Sequence, residues 1–137
     1  MNPVVHFEIP YDDAERAAAF YEAAFGWRTQ RFGEEMGNYV VVTTTESDPQ
    51  TGRPTTPGAI NGGLFARSGQ IPDAHPSVVI AVDDIESAVQ TVASSGGEVL
   101  GEPMDIPGVG RYVSFMDTEG NRVALLQPAP MMAQQGG

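Results

Sequence analysis

Residues 6–15 read HFEIPYDDAE, and residues 77–86 read SVVIAVDDIE. Each stretch joins a short apolar run, typical of a strand, to an acidic pair of the kind that begins a helix. The two stretches are related by a displacement of 71 residues (84 − 13), which also carries Gly26 onto Gly97 beyond the predicted helices. Self-similarity at a fixed displacement is typical of internal duplication, so the sequence predicts two copies of one module.

Each copy carries the signals of one helix. We expect Asp12 and Asp83 to be the N-caps, with Glu15 and Glu86 three residues further on, as in a capping box. Apolar residues then follow at helical spacing, which predicts one buried stripe per helix. The stripe residues are Ala17, Phe20, Tyr21 and Ala24 in the first copy and Ile85, Val89 and Val92 in the second.

One strand is predicted before each helix and three after it. The later strands are residues 27–32, 39–45 and 60–66 in the first copy and residues 98–102, 112–117 and 121–127 in the second. The fold class is therefore α+β, with two tandem βαβββ modules forming curved mixed sheets around a shared cavity and with the helices outside. We expect a single domain that consists of module 1 (about 4–66), a linker (67–76), module 2 (77–127) and a flexible tail (128–137).

The amino-acid composition limits the reactions and partners that the chain can have. The chain of 137 residues has no Cys, and all seven of its basic residues are Arg, so thiol and Schiff-base chemistry are excluded. A net charge of −11 disfavours nucleic acid as a partner. No apolar run approaches the roughly 20 residues that cross a membrane, and the N-terminus does not resemble a signal peptide, so a cytoplasmic protein is expected.

Four motifs are distributed over nearly the whole chain: HFEIP (6–10), AFYEAAFGW (19–27), VDDI (82–85) and FMDTEGN (115–121). Together they resemble the vicinal oxygen chelate superfamily, which has the glyoxalase, bleomycin-resistance and extradiol dioxygenase fold. Two further segments, PGAINGGLF (57–65) and IPGVG (106–110), are similar to a bacterial glyoxalase-related subgroup.

The resemblance implies a metal ligand on the first and last strand of each module. His6 matches the first of these positions. Ser77, a residue within one of Gly62, and Ala124 occupy the other three, and the side chains of Gly and Ala cannot bind a metal. The sequence therefore predicts neither the usual metal nor another cofactor.

His6 and Glu8 are the candidate catalytic residues. They are separated by two positions on one predicted strand, so both side chains should leave the same face, which is the cavity face in the superfamily. Glu8 would serve as general base and His6 as acid or electrostatic partner. Further candidates for ligand contact are Trp27, Tyr39, Asn61, Phe65, Ser77, Glu102, Tyr112 and Phe115.

Three functions remain open at this point. The first is a binding protein for a small organic molecule. The acidic residues Glu8 and Glu102 would favour a cationic ligand, and the aromatic candidates would favour an aromatic one. The second is an isomerase, epimerase or lyase that is metal-free or weakly metal-dependent and uses Glu8 and His6. The third is an interaction or regulatory module.

A homodimer is expected. Exposed edge strands are usually protected from unwanted pairing, and members of the superfamily commonly form dimers.

Overall fold

The computed structural model describes residues 1–68 and 74–129, and within them the predicted α+β class is confirmed. The elements, in chain order, are β1 (Val4–Tyr11), α1 (Ala14–Phe25), β2 (Arg28–Arg31), a 3₁₀ turn (Glu34–Met36), β3 (Val40–Thr43), β4 (Asn61–Ala66), β5 (Ser77–Ala81), α2 (Ile85–Ser94), β6 (Glu98–Ile106), β7 (Gly110–Met116) and β8 (Arg122–Pro128). Each half of the chain thus has the predicted order βαβββ. Within the described ranges, neither helix is long and apolar enough to cross a membrane.

The first module is a mixed sheet with the strand order β2-β3-β4-β1. Strand β1 is parallel to β4, whereas β3 is antiparallel to both β4 and β2. One face of this sheet carries a core of buried side chains that packs with residues of α1. The core consists of Tyr11, Val40, Val42 and Leu64, surrounded by Phe7, Ile9, Ala14, Ala17, Tyr21, Trp27 and Ala66.

The second module repeats this arrangement with the order β5-β8-β7-β6. Strand β5 is parallel to β8, and β7 is antiparallel to both β8 and β6. Its core lies on the α2 side and consists of Val82, Ile85, Val113, Phe115 and Leu125. The first residues of the chain, Met1–Val5, cluster with this module, where the amide of Ala81 donates to the carbonyl of Pro3 at 2.9 Å.

Several boundaries differ from the predicted ones. Strand β6 runs to Ile106, because an irregularity between Leu100 and Met104 lets pairing with β7 resume beyond the predicted end. Strand β8 includes Pro128, and the amide of Ala129 donates to the carbonyl of Val109 at 3.0 Å, so the tail does not begin at residue 128. The rest of the predicted tail, 130–137, and residues 69–73 of the predicted linker lie outside the described residues.

The predicted N-caps are wrong by one residue in both modules. Asp13 and Asp84 are the caps, with extended backbone, and their carboxylates accept from the amides of Arg16 at 3.0 Å and Ser87 at 3.3 Å. Asp12 instead forms an exposed ion pair with Arg67 at 3.4 Å. The acidic pair alone could not decide between its two members, because either carboxylate reaches an amide three residues later.

We predict that Asp13→Ala lowers the free energy of unfolding by about 1 kcal/mol, the usual cost of losing a carboxylate N-cap. Asp12→Ala is the matched control and should cost less, because an exposed ion pair contributes little. Urea denaturation followed by circular dichroism measures both. A larger loss for Asp12→Ala than for Asp13→Ala would contradict the cap assignment.

Candidate functional site

Strand β1 separates the polar side chains of the first module from its core. Phe7 and Ile9 pack in the core on the α1 side of the sheet. Because side chains alternate along a strand, His6 and Glu8 leave the opposite face. This is the orientation that the alternation predicts, and it places an imidazole and a carboxylate side by side on a half-buried surface.

The hydroxyl of Tyr39 joins these two residues. Tyr39 Oη lies 3.2 Å from Nε2 of His6, and it donates to Oε2 of Glu8, also at 3.2 Å. The three side chains therefore form one hydrogen-bonded chain on the sheet face opposite α1. We call His6, Tyr39 and Glu8 the polar triad.

The backbone before β3 fixes the position of Tyr39. Tyr11 Oη donates to the carbonyl of Asn38 at 2.6 Å, and the amide of Phe32 donates to the carbonyl of Tyr39 at 2.9 Å. Asn38 has a φ of 56°, which turns the chain into β3 after the 3₁₀ turn. A core residue thus anchors the segment that carries the central hydroxyl of the triad.

Gly63 provides the space in which Tyr39 lies. Gly63 pairs with Glu8 across the β1–β4 ladder, and a Cβ atom at this position would stand 1.8 Å from Tyr39 Oη. Gly62 belongs to the other face, where a Cβ would meet the ring of Phe7 at 2.5 Å. The two glycines therefore admit two aromatic rings, one on each side of the same strand.

Burial shapes the electrostatics of the triad. Desolvation lowers the pKa of His6 below its ordinary value of 6.5, so the imidazole is neutral at neutral pH. A neutral imidazole, a phenol and a carboxylate in hydrogen-bonding contact can bind a polar group, and they can also accept or pass a proton.

The other candidates of the first module occupy three different environments. Asn61 shares the strand face of Gly63, but its carboxamide holds the segment after β3, with the amide of Thr44 at 2.8 Å and Ser47 Oγ at 3.0 Å. Phe65 follows Gly63 by two residues and leaves the triad face, half-buried. Trp27 lies in the α1 core, with its ring stacked on that of Tyr21 at 4.8 Å, and does not reach the triad face.

The remaining candidates belong to the second module. Phe115 is 9% exposed and lies in the α2 core. Tyr112 alternates with Val113 and so leaves the opposite face of β7. Ser77 begins β5, and Glu102 is exposed in the irregular stretch of β6. His6, Tyr39 and Glu8 are candidates that the structure brings into contact with one another.

The residues present do not fit the metal that the resemblance implies. Gly63, rather than Gly62, is the β4 position beside Glu8 on the triad face, and it has no side chain. Ala124, at the β8 position, pairs with Val79, and neither carries a donor atom. In the described ranges, no three His, Asp or Glu residues come close enough to hold a metal ion.

The sequence did not indicate that Tyr39 would bridge His6 and Glu8. Tyr39 was a candidate only as an aromatic residue on a predicted strand. The signal that points to the contact is Gly62-Gly63 inside a strand, since glycine at such positions often marks the close approach of another group. Using that signal requires the register between β1 and β4, which the sequence does not contain.

Comparison with known sequences identifies a family. A family model described as the Glyoxalase/Bleomycin resistance protein/Dioxygenase superfamily matches residues 4–125. The chain is 34% identical over 127 residues to "Putative glyoxylase CFP32" of Mycobacterium tuberculosis, covering 90% of this chain and 43% of that protein. It is 35% identical over 121 residues to a glyoxylase-like domain-containing protein of Didymella fabae, covering 86% and 88% of the two chains.

The fold is also similar to solved structures. One is a Streptomyces coelicolor methylmalonyl-CoA epimerase variant in complex with 2-nitronate-propionyl-CoA. It matches with a TM-score of 0.67 and 16% identity over 94% of this chain and 96% of that chain. The chain thus spans less than half of the mycobacterial relative but nearly all of this structural neighbour.

We predict that His6 makes the protein less stable on acidification. Because the folded-state pKa lies below 6.5, the unfolded chain takes up a proton first as the pH falls, so stability is lost from about pH 6.5 downwards. His6→Gln removes this contribution and leaves Glu8 and Tyr39 in place, whereas the exposed His75→Gln is the control. Urea denaturation at several pH values between about 7.5 and 5 should give a shallower pH dependence for His6→Gln only. Equal slopes for the wild type and His6→Gln would refute this.

Proposed function

The chain belongs to the Glyoxalase/Bleomycin resistance protein/Dioxygenase superfamily, and we propose that it binds a small organic molecule at the polar triad of its first module. The observation that carries the proposal is the Tyr39 hydroxyl, which lies 3.2 Å from both His6 and Glu8 and joins two segments of the chain, β1 and the residue before β3, into one polar site. Half-buried polar groups beside an apolar core are typical of ligand sites.

The surroundings favour a cationic or aromatic ligand. Glu8 supplies a carboxylate in a chain of net charge −11, which attracts cations and repels anions at a distance. Phe65 leaves the same sheet face and offers an aromatic surface. The structural neighbour in complex with 2-nitronate-propionyl-CoA supports the use of this fold for holding small molecules.

Binding in this chain is proposed to proceed without the usual metal. Gly63 and Ala124 have no side-chain atom that can bind a metal, and the triad supplies only one imidazole and one carboxylate. Two such ligands with water form only a weak divalent site. The triad therefore acts through hydrogen bonds and charge.

A proton-transfer enzyme is the second candidate, and the continuity of the triad favours it. Glu8 would take a proton from a carbon next to a carbonyl, while Tyr39 and His6 would stabilise the charge or return the proton. An isomerase, an epimerase or a lyase would use such a step. The names glyoxylase and methylmalonyl-CoA epimerase among similar proteins are consistent with this class.

A homodimer is also proposed. Strands β2 and β6 are the outer strands of their own modules at the end away from the parallel pair, and such edges usually require cover. Light scattering at micromolar concentration tests the assembly, and a mass near 14.5 kDa would contradict it.

We predict that Glu8→Gln abolishes or strongly weakens ligand binding without unfolding the protein. A thermal-shift screen of cationic and aromatic molecules should yield ligands whose affinity falls roughly tenfold or more in Glu8→Gln, since a charge-assisted contact contributes about 1.5–3 kcal/mol. Glu15→Gln on the exposed first turn of α1 is the control. Equal affinity in both variants would exclude Glu8 from the site.

Transfer of solvent deuterium into a bound ligand would favour the enzyme over the binding protein.

We also predict that the protein purified without chelator contains no stoichiometric transition metal, because the triad offers too few donors. Elemental analysis by mass spectrometry, with His6→Ala as the comparison, measures this. One equivalent of Ni, Zn, Fe or Mn in the wild type that is lost in His6→Ala would overturn the metal-free assignment.

A further inference from the structure

The single proton of Tyr39 sets the direction of the hydrogen bonds in the triad. A carboxylate has no proton to donate, so the 3.2 Å contact between Tyr39 Oη and Glu8 Oε2 requires the hydroxyl to donate to Glu8. Toward His6, the hydroxyl oxygen then has only lone pairs, so it can act only as a hydrogen-bond acceptor. The second contact, 3.2 Å from His6 Nε2 to the same oxygen, requires the imidazole to be the donor.

The imidazole has only one proton to give. Burial lowers the pKa of His6, so its neutral form prevails at neutral pH. A neutral imidazole carries one N–H and one bare nitrogen. With the proton on Nε2, the bare nitrogen is Nδ1.

We infer that Tyr39 is a positioning residue that holds His6 in its Nε2–H tautomer and leaves Nδ1 as a hydrogen-bond acceptor for the ligand. This inference rests on the proposed function, which it deepens by naming what the ligand has to offer. A ligand that contacts Nδ1 carries an O–H or N–H donor, as in an alcohol, an amide or a protonated amine. A carboxylate or phosphate would place an acceptor oxygen against Nδ1, which is also an acceptor, so the two groups would repel each other.

The surroundings of Nδ1 agree with this role. Among residues 1–68 and 74–129, Nε2 makes the hydrogen bond of His6, and Nδ1 has no partner. In the same part of the chain, no buried side-chain nitrogen or oxygen lacks a partner. Nδ1 is therefore not completely enclosed by the protein, as contact with a ligand requires.

The same site disfavours the opposite tautomer. If His6 carried its proton on Nδ1, Nε2 would be a lone pair pointing at the oxygen of Tyr39, whose proton is already engaged with Glu8. Two facing acceptors at 3.2 Å repel each other. Glu8 thus acts on the tautomer of His6 through Tyr39.

Nitrogen-15 NMR of the histidine rings tests the inference without any ligand. The chain has two histidines, so His75→Gln leaves His6 as the source of the remaining signal. At neutral pH, we expect a protonated Nε2 and a bare Nδ1. In Tyr39→Phe the ring should shift to a mixture of tautomers, whereas Tyr21→Phe, which removes a hydroxyl in the α1 core, should leave it unchanged.

Gly63→Ala provides a second route, since the new Cβ would overlap the hydroxyl and the adjoining ring atoms of Tyr39 and force this side chain away from His6 without removing its hydroxyl group. It should produce the same loss of tautomer preference as Tyr39→Phe. A proton on Nδ1 in the wild type, or an unchanged tautomer in both variants, would overturn the inference. Because ligand is absent, this outcome is separate from that of the Glu8→Gln binding experiment.

Benzylammonium and phenylacetate then test the ligand class as a matched pair of aromatic ions. Benzylammonium should shift the Nδ1 resonance, and phenylacetate should not. A shift with phenylacetate alone, or with neither ion, would refute the donor requirement even if the tautomer is as inferred.

Discussion

Phe7 and Ile9 have to be buried against α1, and the two-residue period of a strand then sends His6 and Glu8 to the other face. The position of the rest of the site depends on which residues of β1 face the core. A shift of β1 by one residue would place the carboxylate of Glu8 in the core and Phe7 in solvent, and an unpaired buried charge costs several kcal/mol. The hydrophobic core therefore sets the direction of the polar triad.

Duplication gave the two modules the same scaffold but not the same chemistry. Where the first module has a glycine and a tyrosine hydroxyl beside Glu8, the second pairs Val79 with Ala124, at 1% and 2% exposure. On that face Ser114, which pairs with Ala124, accepts a hydrogen bond from Arg122 at 3.3 Å. Because the helices stabilise the opposite face of each sheet, the face away from the helix can differ between modules without loss of the fold.

Patterns within one segment were sufficient to predict the modules, the class and the orientation of β1. The structure agrees with the repeat and with the strand alternation of β1, but only in part with the helical spacing. Of the predicted α1 stripe, Ala17 and Tyr21 pack against the core, whereas Phe20 is 57% exposed and Ala24 is also exposed. The caps were wrong by one residue because Asp12 and Asp13 have the same side chain. Trp27 and Phe115 were candidates for ligand contact, but the structure places them in the α1 and α2 cores. The sequence could not assign their faces, because alternation does so only when the strand boundary is known, and Trp27 precedes β2. The Tyr39 contact depends on the register of three strands, and only the folded chain contains that information.

The stacked position of Trp27 makes its intrinsic fluorescence a useful probe of the first module. It is the only tryptophan of the chain, and its ring lies 5.6 Å from Phe7, the residue between His6 and Glu8. A displacement of β1 that moves the ring of Phe7 would therefore change the surroundings of the indole. Tyrosine-to-tryptophan energy transfer from Tyr21, whose ring is stacked in parallel at 4.8 Å, adds a second signal from the same place. The emission of Trp27 in the native chain is thus expected to change when β1 moves, with no label attached.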